Sequence, residues 1–152
     1  MNLLLFYLFL ALVVSFICSM VEAVLLTIPQ SYLVSVRSQS SWANSFLSFK
    51  KNIDKPLSAI LTLNTIAHTI GAAGVGAQVT NLYGDSFLGI ASALLTILIL
   101  FFSEIIPKTI GAIYWKSLSK VTYYTLRIML IVTYPIVIVS IKITQLFAKK
   151  KQ

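Results

Sequence analysis

Runs of apolar residues long enough to cross a lipid bilayer occupy roughly positions 3–28, 57–82, 86–106 and 121–148, and they constrain the fold more than any other feature of the chain. About 20 residues make one helical crossing. Lipid offers no water to satisfy a backbone N–H or C=O, so an isolated strand is excluded and each run reads as a helix. The composition agrees: 58% of residues are hydrophobic, 11% are charged and the mean hydropathy is +0.91, whereas about a quarter of the residues in a soluble domain are charged. A water-soluble fold is excluded, and these residues leave no room for a soluble catalytic or regulatory domain. The predicted class is an all-α membrane protein.

Charge position sets the topology. Lys and Arg number 12 against 4 Asp and Glu, a balance that in a soluble chain would suggest nucleic acid. Here the charges sit between apolar runs, as topology signals do, and no nucleic-acid role is read from them. The Ser-rich stretch from Gln30 to Lys55 carries Arg37, Lys50, Lys51 and Lys55 and is expected to be a cytoplasmic loop. The link Asn81-Leu82-Tyr83-Gly84-Asp85-Ser86 carries no positive charge, contains a turn signal and is expected outside. Val21-Glu22-Ala23 faintly resembles a signal-peptide cleavage site. No Lys or Arg precedes the first run, however, and the run is longer than a signal core, so it reads as a retained helix.

The fourth run holds Arg127, Lys142 and Pro135 and is followed by Lys149, Lys150 and Lys151. Were it to span, the terminal lysines would lie outside. The charge rule therefore favours three transmembrane helices, followed by a Pro-broken juxtamembrane pair over 113–148 lying in the interface and a basic tail at 149–152. The alternative is a fourth helix kinked at Pro135. The three-span reading puts the N-terminus outside and the C-terminus in the cytoplasm, as an integral protein of a bacterial or archaeal plasma membrane.

Polar side chains inside the runs are the candidates for chemistry. Ser15, Ser19 and Glu22 stand at i, i+4 and i+7 and so share one helix face. Placing Asp, Lys or Arg at a helix centre in lipid costs about 2.5–3.5 kcal/mol, so a carboxylate at such depth calls for a partner or a cation. The plainer reading has the serines bonding to their own helix while Glu22 reaches toward the cytoplasm. The second run brings Asn64 and His68 at i and i+4, either as ligands or as interhelical hydrogen-bond glue. Behind them, Ala67/Gly71 and Ala72/Gly76 have the small-residue spacing that lets helices approach, and packing is their expected role.

The third run ends in Phe101-Phe102-Ser103-Glu104-Ile105-Ile106-Pro107-Lys108. Pro107 has no N–H to give the Ser103 carbonyl and its ring crowds that carbonyl, so the helix is expected to open there, next to the Glu104 carboxylate. A helix that simply ends at Pro107, with Glu104 bonded to Lys108, is the alternative. Hydroxyl, amide and carboxylate oxygens from three helices suit one hard cation, Mg²⁺, Na⁺ or Ca²⁺. With Cys18 the single cysteine and His68 the single histidine, soft metals are poorly served, although imidazole also suits Zn, Fe or Ni or a proton site. If His68 lies in the site, cation binding weakens as acid protonates the ring.

At these residues the chain resembles the CorC/CNNM family of magnesium transporters along nearly its whole length. Glu104-Ile105-Ile106-Pro107-Lys108 is similar to the family's E-I-I-P-K signature, with support from Ser19-Met20-Val21-Glu22-Ala23 and Asn64-Thr65. The resemblance implies a transmembrane domain over 1–148, a homodimer with three transmembrane helices per subunit, a juxtamembrane belt, and Na⁺-coupled export of Mg²⁺. It also implies cation ligation by Ser19, Asn64 and Glu104, with Ser15 a looser match. Ser103 and His68 are counted with Ser15, Ser19, Asn64 and Glu104 as candidate metal-site residues, and Glu22, Gly71, Pro107 and Lys108 are expected in structural or gating roles. Two departures bear on selectivity: His68 stands where the family commonly has a second Asn, and Ser103 where a Gly often precedes the Glu. The CBS pair that usually follows in the family is not within these residues, so nucleotide regulation is not assigned.

The leading expectation is thus a cation transporter working in the lipid bilayer on inorganic cations. The alternative is a non-transporting scaffold or cation sensor with a structural ion. Ser15 or Ser19 with His68 lacks any nucleophile-elbow or metalloprotease motif, so an enzyme is not expected.

Overall fold

The computed structural model describes residues 1–148 and is helical from end to end; the basic tail expected at 149–152 lies outside the described residues. Three helices are long and apolar enough to cross a membrane among these residues: α1 Asn2–Thr27, α4 Asp54–Tyr83 and α5 Asp85–Ile113. At about 1.5 Å per residue, the 26 residues of α1 span about 39 Å, more than the ~30 Å hydrocarbon core. Gly84, at φ +87°, makes the tight turn between α4 and α5, a backbone conformation that costs a residue without Cβ nothing.

The stretch read as a polar loop is instead folded. It forms α2 Gln30–Val36 and α3 Ser41–Lys51, because Ala43, Phe46 and Leu47 share one face of α3 and Leu33 anchors α2, and all four are buried. The serines and lysines occupy the other faces. The fourth run divides at Thr133 into α6 Trp115–Val132 and α7 Tyr134–Ala148. Pro135 is the second residue of α7, where its missing N–H leaves no helical bond unmade. Neither helix meets the length and apolarity of a span.

Two apolar clusters hold the helices together. One joins Val21 and Leu25 of α1, with Ile28 just past its end, to Phe46, Ile60, Tyr123, Leu126 and Val137, thereby uniting α1, α3, α4, α6 and α7. Phe49 stacks on Tyr123 at 5.9 Å and Tyr32 meets Trp115 edge-on at 5.1 Å. The other, at the opposite end, packs Val75, Val79 and Leu95 against Leu4, Tyr7 and Leu8. The polar residues of α1 and α4 fall between the two.

Small residues permit the closest approaches. A Cβ on Gly71 would lie 2.5 Å from that of Ala11, and one on Gly74 would collide with the Tyr7 ring; the Ala67/Gly71 pair therefore packs α4 on α1. The Ala72/Gly76 pair differs: it lines a cavity of about 130 Å³ with Ala91, Ser92, Leu95 and Thr96 of α5.

Helix α1 ends with carbonyls that have no partner within the helix. Lys50 of α3 supplies one, donating from Nζ to the Leu25 and Leu26 carbonyls at 2.7 and 2.8 Å. Burial lowers the pKa of Lys50 from the ordinary lysine value, and the two carbonyls with the negative end of the helix dipole offset that cost. Lys50→Ala is expected to cost about 1–2 kcal/mol, read as a melting temperature lowered by several degrees in detergent. Lys50→Arg is expected to recover part of the loss, and an unchanged melting point in Lys50→Ala would show that water replaces the amine.

Candidate functional site

Two helices depart from α geometry at the same level. Leu10–Val14 in α1 and Ile99–Ile105 in α5 are π-helical, a widening often found at functional sites. The opening expected at Pro107 is taken up upstream: the Ile106 N–H bonds to the Phe101 carbonyl, five residues back, and the helix runs on through Pro107 to Ile113. The two widened turns touch, because the Ser103 hydroxyl donates to the Leu12 carbonyl at 3.1 Å. That carbonyl also accepts the Ser15 N–H. Ser103 thus holds α5 to α1, a partner that no side-chain pattern in the sequence could reveal.

Glu104 is the hub. Its Oε1 accepts from Asn64 Nδ2 at 3.2 Å and lies 3.9 Å from His68 Nε2, while Oε2 faces Lys108 Nζ at 3.1 Å. Lys108 also reaches Glu22 Oε2 at 3.4 Å, so one ammonium bridges carboxylates of α1 and α5. His68 Nε2 meets Ser15 Oγ at 2.6 Å, and Ser15 is fully buried. The cluster therefore links α1, α4 and α5 with a hydroxyl, an imidazole, an amide, two carboxylates and one amine.

Two oxygens in it have no hydrogen-bond partner although they are buried: Ser19 Oγ and Asn64 Oδ1. Ser19 sits beside the Glu104 carboxylate, but its hydroxyl does not meet hydrogen-bond geometry there. A buried unpartnered polar oxygen costs about 1–3 kcal/mol. Two of them flanking a carboxylate fit the donor set of a hard cation, which takes hydroxyl, amide and carboxylate oxygens together. Among the described residues no three of His, Cys, Asp and Glu converge, and these neutral oxygens would add to whatever the Glu104 carboxylate offers a cation.

The structure thus brings Ser15, Ser19, Asn64, His68 and Glu104 together, with Glu22 and Lys108 at one flank. Gly71 packs on Ala11 away from the polar atoms. Pro107 is buried, in the C-terminal part of α5, which packs on α1. The Leu12 carbonyl and Lys50 are the contributors that sequence reasoning missed. A backbone acceptor leaves no trace in residue type, and Lys50 lies 25 positions from its partner Leu25.

Residues 5–152 match the family described as the cyclin M transmembrane N-terminal domain. The chain belongs to this CNNM family. A UPF0053 protein of Synechocystis is 32% identical over 148 residues, 95% of this chain and 42% of that relative. A UPF0053 protein of Haemophilus influenzae is 36% identical over 91 residues, covering 58% of this chain and 22% of its own length. The UPF0053 inner membrane protein YfjD of Escherichia coli is 29% identical over 96 residues, covering 63% of this chain and 22% of its own length. This CNNM domain therefore spans less than half the length of these relatives, and it is an integral membrane protein with the all-helical fold read from its sequence.

Proposed function

We propose that this CNNM domain moves a divalent cation, Mg²⁺ in the first instance, out of the cell in exchange for Na⁺, and that it is not an enzyme. The observation that carries the reading is the pair of buried, unpartnered oxygens, Ser19 Oγ and Asn64 Oδ1, on two residues that adjoin the Glu104 carboxylate. Ser15, His68 and Ser103 support that group from the same three helices, and the π turns at Leu10–Val14 and Ile99–Ile105 give α1 and α5 a place to change register without breaking. The Lys108 bridge offers a counter-charge to Glu22 and Glu104 when no cation is held.

Positive charges after α1 and after α5 favour an outside N-terminus and a cytoplasmic C-terminus, with α6 and α7 lying as a belt in the interface. The term inner membrane in the name of the Escherichia coli relative supports a bacterial-type plasma membrane. The family resemblance supports a homodimer, and no nucleic acid is involved.

Purified protein in liposomes loaded with Mg²⁺ tests the proposal. Efflux that rises when Na⁺ is supplied on the opposite side is the expected result. The close packing of Gly71 and Gly111 against α1 favours a second reading, a non-transporting scaffold or sensor with a structural ion. Cation-dependent thermal stability with no flux would select it, and robust flux would exclude it.

A further inference from the structure

Resting on the cation-transport reading above, we infer that His68 is a ligand that turns this site toward first-row divalent ions that accept imidazole, and away from strict Mg²⁺ selectivity. His68 Nε2 faces the cluster, 3.9 Å from Glu104 Oε1 and 2.6 Å from Ser15 Oγ. With the proton on Nδ1, the ring accepts the Ser15 hydroxyl hydrogen at Nε2, and a metal would take that same lone pair by displacing this hydrogen bond, with the Ser15 oxygen left close enough to Nε2 to face the same ion. Two metal bonds of about 2.1 Å total about 4.2 Å, more than the observed separation, so one ion reaches imidazole and carboxylate at once. A cis octahedral pair at these bond lengths needs its donors about 3 Å apart, a closure that a side-chain adjustment supplies.

The rest of the donor set decides which ions fit. Ser19 Oγ and Asn64 Oδ1 are the buried oxygens without partners, and together with Glu104 and His68 they make a mixed oxygen and nitrogen shell. Mg²⁺ demands near-ideal octahedral oxygen ligation and sheds water reluctantly, so it gains little from an imidazole. Fe²⁺, Ni²⁺ and Zn²⁺ gain from it. An absence of thiolates, Cys18 being the single cysteine, keeps the shell from suiting Cu(I).

Raw affinity is a poor test, because almost any such site binds Ni²⁺ more tightly than Mn²⁺. The informative quantity is the change in the Ni²⁺ to Mg²⁺ affinity ratio on removing the ring. Tag-free protein carries one histidine, so Ni²⁺ and Mg²⁺ titrations by calorimetry report on His68 without interference. His68→Asn is expected to lower the Ni²⁺ to Mg²⁺ affinity ratio by about tenfold or more, since an amide oxygen suits Mg²⁺ better than it suits Ni²⁺. A ratio unchanged in His68→Asn overturns the inference while leaving the transport reading intact. Failure of both ions to bind the wild-type protein overturns the two together. Should His68→Asn fail to fold, the wild-type protein still decides: Mn²⁺ is expected to broaden the single imidazole's resonances in preference to those of tyrosine rings, and uniform broadening overturns the assignment.

Discussion

Replacing Glu104 with alanine is expected to reduce cation efflux from loaded liposomes to background. The carboxylate is the hub through which α1, α4 and α5 communicate: Asn64 and His68 face one oxygen and Lys108 faces the other. Removing one member of a buried charge pair costs ~3–5 kcal/mol, which for a cation site is on the order of a hundredfold to several thousandfold in Kd. Glu104→Gln separates charge from shape, because an amide still accepts from Asn64 but carries no charge for the ion. It is expected to fold better than the alanine variant and transport no better. Glu22 continues to pair with Lys108 in both variants, so loss of flux is expected with the helices still assembled, as checked by gel filtration and melting. Efflux at the wild-type rate in Glu104→Ala would remove the proposed site.

Gly111→Val is expected to prevent assembly of the folded domain. A Cβ at this position would lie 2.7 Å from the Met20 carbonyl oxygen and 2.9 Å from the Ala23 Cβ. The obstructing atoms are helix backbone and a methyl group without rotamers, so relief requires α5 to move away from α1. Overpacking of a well-packed interface costs typically ~1–3 kcal/mol and sometimes more, and a branched side chain against backbone belongs at the upper end. Gly111→Ala is expected to be folded but to melt lower. Its cation affinity is expected to fall as well, because Met20 adjoins Ser19, and Gly111 lies one turn from Lys108. Gly89 provides the contrast: a Cβ there meets nothing within 4 Å, and Gly89→Ala is expected to raise stability by up to about 1 kcal/mol through helix propensity alone. A normal melting curve for Gly111→Val would show that the α1–α5 contact is softer than its geometry implies.

The spanning helices were legible because hydropathy over a spanning length acts residue by residue, without reference to partners. The same rule explains the misreading of 30–55. Short helices such as α2 and α3 bury only a few residues, Leu33, Ala43, Phe46 and Leu47, and the serines and lysines around them mask the stripe. Pro107 signalled an irregularity in α5 but not its form, since whether a helix ends, kinks or widens depends on what its neighbour can accept. The neighbour here is the Leu12 carbonyl in a second widened turn.

For the site, the identities of Ser15, Ser19, Asn64, His68 and Glu104 could be read because polar groups in an apolar run are costly wherever they fall. Their grouping could not. Ser103 and Ser19 look alike in sequence, yet one is spent on a backbone carbonyl and the other is left without a partner. A Glu104–Lys108 pair at i+4 belonged to the alternative reading in which the helix ends at Pro107, and the reach of Lys108 to Glu22 across the helix interface depends on how closely Gly111 lets α5 approach α1.

The amino-acid sequence alone determined that this chain lives in lipid, crosses it as helices and carries a set of oxygen-bearing side chains at depth, because transfer free energies are local properties of each residue. Only the tertiary structure decided which of those oxygens share a centre, which are consumed in holding helices together, and that an imidazole and a carboxylate face each other. Those outcomes depend on helix rotation and spacing, and these are set by contacts between residues far apart in the chain.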